Sequence, residues 1–164
     1  MSLINPYTLF KRGYIIKGRP QNLTPNGYDL RVKGVYEITT DLDSILIADD
    51  KNIKKRAYGI LRPRRLNNHK LYYFLKKFVP YEIRTIESVY IPKDMVGLIF
   101  SRSSFNRAGI IIRGTLFDSG FRGTPSLTIY PFLNMYLAKE SRVAQIIFVK
   151  AESYRIYKGK YNET

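Results

Sequence analysis

Short alternating runs, each cut off by glycine, proline or asparagine, constrain this chain more than any other feature of its sequence. "GYDLRVKGVYEIT" (Gly27 to Thr39) follows the turn signal "TPNG" and alternates in part with period two. "SILIAD", "YEIRTIESVYIP", "DMVGLIFS", "GIIIRGTLF", "SLTIYPFLNMYL" and "RVAQIIFVKAESYRIY" continue the pattern. Strands of four to ten residues broken by Gly, Pro and Asn, with no long stretch of 3.6-residue periodicity, argue for a sandwich, jelly roll or closed barrel. Helical signals are few. "NHKLYYFLKKF" reads as a short helix, and "RSSFNRAG" as one helical turn that Ser103 or Ser104 caps and Gly109 ends in the left-handed conformation. No repeat, low-complexity tract or linker divides the chain. Residues 1–164 therefore read as one all-β domain, with a basic insertion around 51–78 and a short tail at 153–164.

Composition excludes several classes. With no cysteine, disulfides and thiolate metal sites are impossible. No apolar run approaches the ~20 residues of a membrane helix, and the N-terminus lacks the apolar core and cleavage site of a secretory signal. The expected location is the cytoplasm. The absence of Cys and Trp beside abundant Lys, Arg, Ile and Tyr suits a hot habitat. A formal net charge of +15 predicts attraction to polyanions. Ten Lys or Arg and no acid lie between Lys51 and Lys77. The ordinary reading of that segment is a solvated loop and edge strand kept soluble by its charge; contact with nucleic acid is the alternative.

The residues that can carry chemistry are few. The single histidine, His69, sits in the basic stretch "RRLNNHKL", which suits a surface histidine better than a catalytic triad. Zinc-dependent base deamination needs a His/Cys ligand set that this chain lacks, and no phosphate-binding glycine loop is present. What remains suits a phosphoanhydride. Arg102, Ser103 and Ser104 open the helical turn, offering a guanidinium fork and two hydroxyls; taken alone, such a triplet is more often an ordinary capped turn. Asp118, between Gly114 and Gly120 in "GTLFDSGFRG", can take a proton from water or accept a sugar hydroxyl's hydrogen bond. Phe121 offers a flat face nearby. An Asp in "D-S-G" also commonly bonds only its own turn.

Taken together, these pieces resemble the trimeric dUTPases and dCTP deaminases, which share a fold. "NGYDLRV", "SRSSFNRAGI", "GTLFDSGFRG" and "ESRVAQIIF" are similar to four family motifs in the family's order, and "YKGKYN" resembles the deaminase tail. The resemblance implies a distorted jelly-roll β-barrel, assembled as a homotrimer with active sites between subunits. It implies that Asp118 activates the attacking water. Arg102, Ser103, Ser104 and Gln145 would bind phosphate, and Phe121 would pack on deoxyribose. A hairpin at Arg113 and Gly114 would read the base. Asp29 would act near Mg²⁺ through water rather than as a direct ligand, the ion being carried by the substrate. Lys160 and Tyr161 would form a shortened lid.

In the deaminase branch a strand of the form I-T-L-E supplies a water-activating glutamate. Thr128 fills that slot here, and no acid lies between Thr124 and Leu137. The expected activity is therefore hydrolysis of dUTP to dUMP and diphosphate. The alternatives are a dCTP deaminase, a bifunctional enzyme, or a non-catalytic nucleotide- or nucleic-acid-binding module.

Overall fold

A computed structural model describes residues 2–39, 57–66, 70–159 and 162. The chain opens with helix α1 (Pro6–Lys11), which the sequence pattern does not announce. Pro6 enters its first turn, and the Asn5 side chain accepts a bond from the Tyr7 N–H. The strands follow in chain order: β1 (Ile15–Ile16), β2 (Tyr28–Thr39), β3 (Ala57–Ile60), β4 (Arg64–Arg65), β5 (Leu71–Leu75), β6 (Tyr81–Thr85) and β7 (Ser88–Tyr90). After β8 (Met95–Ser101) comes helix α2 (Ser103–Arg107), then β9 (Ile110–Arg113), β10 (Leu116–Phe117) and β11 (Arg122–Gly123). β12 (Ser126–Pro131), β13 (Met135–Ala138) and β14 (Arg142–Lys150) complete the set.

The main sheet runs β10-β8-β14-β2-β6-β12-β9, with β3 also paired to β2; all of these pairings are antiparallel. Its two end strands, β9 and β10, are joined through only Gly114 and Thr115. The sheet must therefore curl until its ends meet, as a jelly-roll barrel does. Gly114 makes that corner possible. A Cβ there would lie 2.3 Å from the Ile99 carbonyl oxygen, an approach only glycine tolerates. This corrects the expected hairpin at Arg113 and Gly114: β9 pairs with β12 and β10 with β8, so the chain turns a barrel corner there.

Alternation fills the interior. In β8, Met95, Gly97 and Ile99 face inward while Phe100 is exposed; in β12, Leu127 and Ile129 face inward while Ser126 and Thr128 face out. Tyr28, Tyr81, Ile83, Ile146 and Phe148 join them in one apolar cluster. Burial raises the hydroxyl pKa of both Tyr28 and Tyr81.

A second sheet, β13-β5-β4, overturns the helix expected in "NHKLYYFLKKF". Tyr73 and Leu75 turn inward and Phe74 outward, a period of two, and aromatic side chains favour strands. The expected strand in "RVAQIIFVKAESYRIY" stops at Lys150, and residues 151–159 carry no strand. The α2 turn forms as expected and Gly109 follows it at φ +74°. Its N-cap, however, is Arg102, with no side-chain capping bond from either serine. The "SILIAD" run and His69 lie outside the described residues. No helix among the described residues is long and apolar enough to cross a membrane.

Candidate active site

The residues singled out in the sequence fall into two groups, at opposite ends of β8. The first surrounds Asp29. β2 places its carboxylate beside β14, with Gln145 directly opposite in register, and it is almost fully buried at 2% exposure. A carboxylate removed from water needs compensation. Arg102 Nε approaches one oxygen at 3.1 Å and Arg142 Nη1 the same oxygen at 3.5 Å. Gln145 Nε2 donates to Thr24 Oγ1 at 2.8 Å and reaches the other Asp29 oxygen at 3.5 Å.

Arg102 also donates to the Arg142 carbonyl at 3.0 Å. Its guanidinium is thus held in place where Ser103 and Ser104 begin α2, and both serines are exposed. Arg142 is the member of this group that sequence reasoning missed. The only signal for it is its position in "ESRVAQIIF", three residues before Gln145.

The second group surrounds Asp118. Its carboxylate is exposed and makes no hydrogen bond or ion pair among the described residues; the turn is closed by the backbone, the Phe121 N–H donating to the Asp118 carbonyl at 3.0 Å. The side chain lines a cleft of about 1010 Å³ with Arg155, Ile156, Tyr157, Lys158 and Gly159 of the tail. The tail is fastened to the turn by Tyr157 N–H to Ser119 O at 2.8 Å and by Arg122 N–H to Asn162 Oδ1 at 2.9 Å. Gly120 adopts φ +86° beneath Ile156.

Phe121 is only 7% exposed, its ring set between Phe117 (centroids 4.9 Å apart) and Tyr157 (5.8 Å). Lys160 and Tyr161 lie outside the described residues.

Register fixes the distance between the groups. Phe117 pairs with Gly97, so Asp118 falls level with Val96, while Arg102 follows Ser101. Six extended residues span about 20 Å. Asp118 and Arg102 of one chain therefore stand at opposite ends of β8.

Thr128, exposed on β12, lies opposite Arg113 on one side and Glu82 of β6 on the other. Residues opposite each other share a face, so an acid does stand beside the Thr128 slot. It comes from the neighbouring strand, which is why a search along β12 misses it. Glu82 is 8% exposed and accepts from Arg84 Nε at 2.9 Å. No group of three His, Cys, Asp or Glu side chains suited to a metal ion occurs among the described residues.

Sequence comparison identifies the family to which this curled antiparallel barrel belongs. Residues 7–151 match the family model described as "dCTP deaminase-like", and the chain belongs to that family. A dCTP deaminase of Campylobacter hominis is 30% identical over 153 residues, covering 85% of this chain and 73% of that protein. A deoxyuridine 5′-triphosphate nucleotidohydrolase of Methanocaldococcus jannaschii is 26% identical over 136 residues, covering 82% and 83%. Among solved structures, the 2′-deoxycytidine 5′-triphosphate deaminase of Agrobacterium tumefaciens superposes with a TM-score of 0.67 at 19% identity. That match covers 89% of this chain and 47% of the other, so the chain spans about half that neighbour's length.

Proposed function

We infer that the protein hydrolyses dUTP to dUMP and diphosphate, at sites shared between the chains of a homotrimer. The observation that carries this reading is the exposed Asp118 carboxylate in its cleft at one end of β8, with the Arg102 guanidinium held by Asp29 at the other end. A second copy supplying Arg102, Ser103 and Ser104 would complete what one chain leaves open. The outer face of the barrel suits such a contact. Leu116, Leu98 and Ile147 lie in one register row, with Phe100 beside them; Leu116 is 49% and Phe100 54% exposed.

In this mechanism Asp118 accepts a proton from water as that water attacks the α-phosphorus. The bond from the α-phosphorus to the bridging oxygen breaks, and diphosphate leaves. Arg102, fixed by Asp29, and the two serine hydroxyls receive the charge that develops on the phosphate oxygens. Gln145, on the same face as Asp29, adds an amide donor. Asp29 is already closed by two arginines, so it would reach a metal only through water, and Mg²⁺ would travel with the triphosphate. When bound, the ion would neutralise phosphate charge. A deoxyribose approaching Asp118 would meet Tyr157 before Phe121, because Tyr157 covers the phenylalanine ring.

Glu82 supports a second reading, deamination of dCTP, since it shares a face with Thr128. Glu82 is ion-paired with Arg84, whereas Asp118 has no ion pair among the described residues. Offering dUTP, dCTP, dTTP and UTP separately with Mg²⁺ and separating the products decides the matter. The expected products are dUMP and diphosphate from dUTP alone. Conversion of dCTP to a uracil nucleotide with release of ammonia, while dUTP is left intact, would overturn the hydrolytic reading in favour of the second.

A further inference from the structure

Away from both groups, four of the exposed aromatic rings fall into two contacting pairs. In β5 the burial of Tyr73 (3% exposed) and Leu75 (0%) forces Phe74 and Lys76 outward. Tyr136 of β13 lies directly opposite Phe74, with ring centroids 5.2 Å apart; both rings reach solvent, at 57% and 37% exposure. Beyond the end of β5, Phe78 meets Phe132 edge-on at 6.2 Å, and these rings are 56% and 42% exposed.

Phe78 stands in the left-handed region at φ +63°, which is uncommon for a bulky residue. It is held there by its N–H to the Pro131 carbonyl at 2.8 Å, while the Lys77 N–H bonds Asn134 Oδ1, also at 2.8 Å. The backbone is thus bent to keep an aromatic ring out of the core. Lys77 Nζ hovers 5.9 Å from that ring's centre.

The described segments that carry these rings, residues 70–81 and 119–139, contain lysine and arginine but no aspartate or glutamate. Exposed Lys76, Lys77 and Arg64 border the rings. A second copy packed symmetrically on this face would set lysines against lysines, which disfavours self-association. Aromatic faces beside fixed cations match a chain of unstacked bases on a phosphate backbone. We propose that the face formed by β5, β13 and the loops at 76–79 and 131–134 binds single-stranded nucleic acid. The rings stack on bases and the lysines meet phosphates. None of these residues takes part in the hydrolytic site, so the two readings stand or fall separately.

The test is fluorescence anisotropy of a labelled oligodeoxythymidine, titrated with the whole protein over a range of salt concentrations. Saturable binding that weakens steeply with salt is expected. Phe74→Ala/Tyr136→Ala should weaken it about tenfold or more at fixed salt with little change of salt slope. Lys76→Ala/Lys77→Ala should flatten the slope by about 1.4, some 0.7 for each phosphate that is no longer neutralised. Because these side chains are exposed, thermal melts should stay close to the parent's and certify folding. The proposal fails if low salt gives no saturable binding. It also fails if both double variants bind like the parent. A loss of oligomeric mass in Phe74→Ala/Tyr136→Ala would assign the face to an interface between chains and overturn it too.

Discussion

The two ends of β8 solve opposite problems. Around Asp29 the carboxylate is buried and its charge is answered by Arg102 and Arg142, with Gln145 closing the far oxygen. Around Asp118 the carboxylate is exposed, the turn is held by the Phe121 N–H and by Ser119 Oγ donating to the Met95 carbonyl, and a tail of polar and aromatic residues lines the same cleft. The first arrangement is rigid and internally satisfied, so it suits holding a ligand in place. The second keeps a basic oxygen unengaged, as proton transfer requires. On the proposed reading, binding and chemistry are separated within one chain and reunited between chains.

The largest expected effect tests that separation directly. Asp118→Asn keeps the side chain's shape while removing the base, and should lower kcat for dUTP by about 10²–10⁴-fold with nucleotide still bound. Arg102→Ala should also be nearly inactive. When the two variants are unfolded, mixed in equal amounts and refolded, random assembly of trimers leaves about a quarter of the shared sites with both residues intact. Activity should return toward that fraction. A mixture as dead as its parts would break the comparison, because both residues would then serve a site within one chain.

A smaller effect is expected at Asp29. In Asp29→Asn the two arginines lose their counter-charge, but each side chain is partly exposed, at 30% for Arg102 and 45% for Arg142. Solvent therefore limits the loss, to about 1–3 kcal/mol of stability. Arg102 should lose its fixed orientation, raising KM more than it lowers kcat. Steady-state kinetics beside denaturant melts check this. A fall in kcat matching that of Asp118→Asn with KM unchanged would mean that the two ends do not divide the work.

In the sequence, the Asp118 end is easier to find than the Asp29 end is to understand. An acid between glycines in a basic chain is visible as such, and the strands around it alternate cleanly enough to give the all-β class. Arg142 and Glu82 are not legible there, because each acquires its meaning from a partner far along the chain: Arg142 from Asp29, and Glu82 from Thr128 across the β6–β12 ladder. Residues 71–75 mislead for a related reason. "LYYFL" is apolar throughout, so its period emerges only when β13 and the core select which rings turn inward. The barrel corner at Gly114 looks like a hairpin because a glycine in sequence does not say which strands it separates.

The smallest effect concerns the tail over Asp118. In Gly120→Ala the new methyl carbon would sit 2.0 Å from Ile156 Cγ2, and the residue would be forced into φ +86°. The backbone strain costs about 1–2 kcal/mol, which for a chain of this size lowers the melting temperature by about 2–4 °C per kcal/mol. Ile156 is 49% exposed, so the tail should yield before the turn does. Limited proteolysis should then cut within residues 153–159 faster than in the parent, and dUTP turnover should fall by much less than in Asp118→Asn. If the tail becomes cleavable while turnover is untouched, the segment is only a cover, and the Asp118 carboxylate works from an open turn. If turnover falls together with the tail's protection, the tail is part of the chemistry, and the exposed end of β8 is less self-sufficient than its unengaged oxygen suggests.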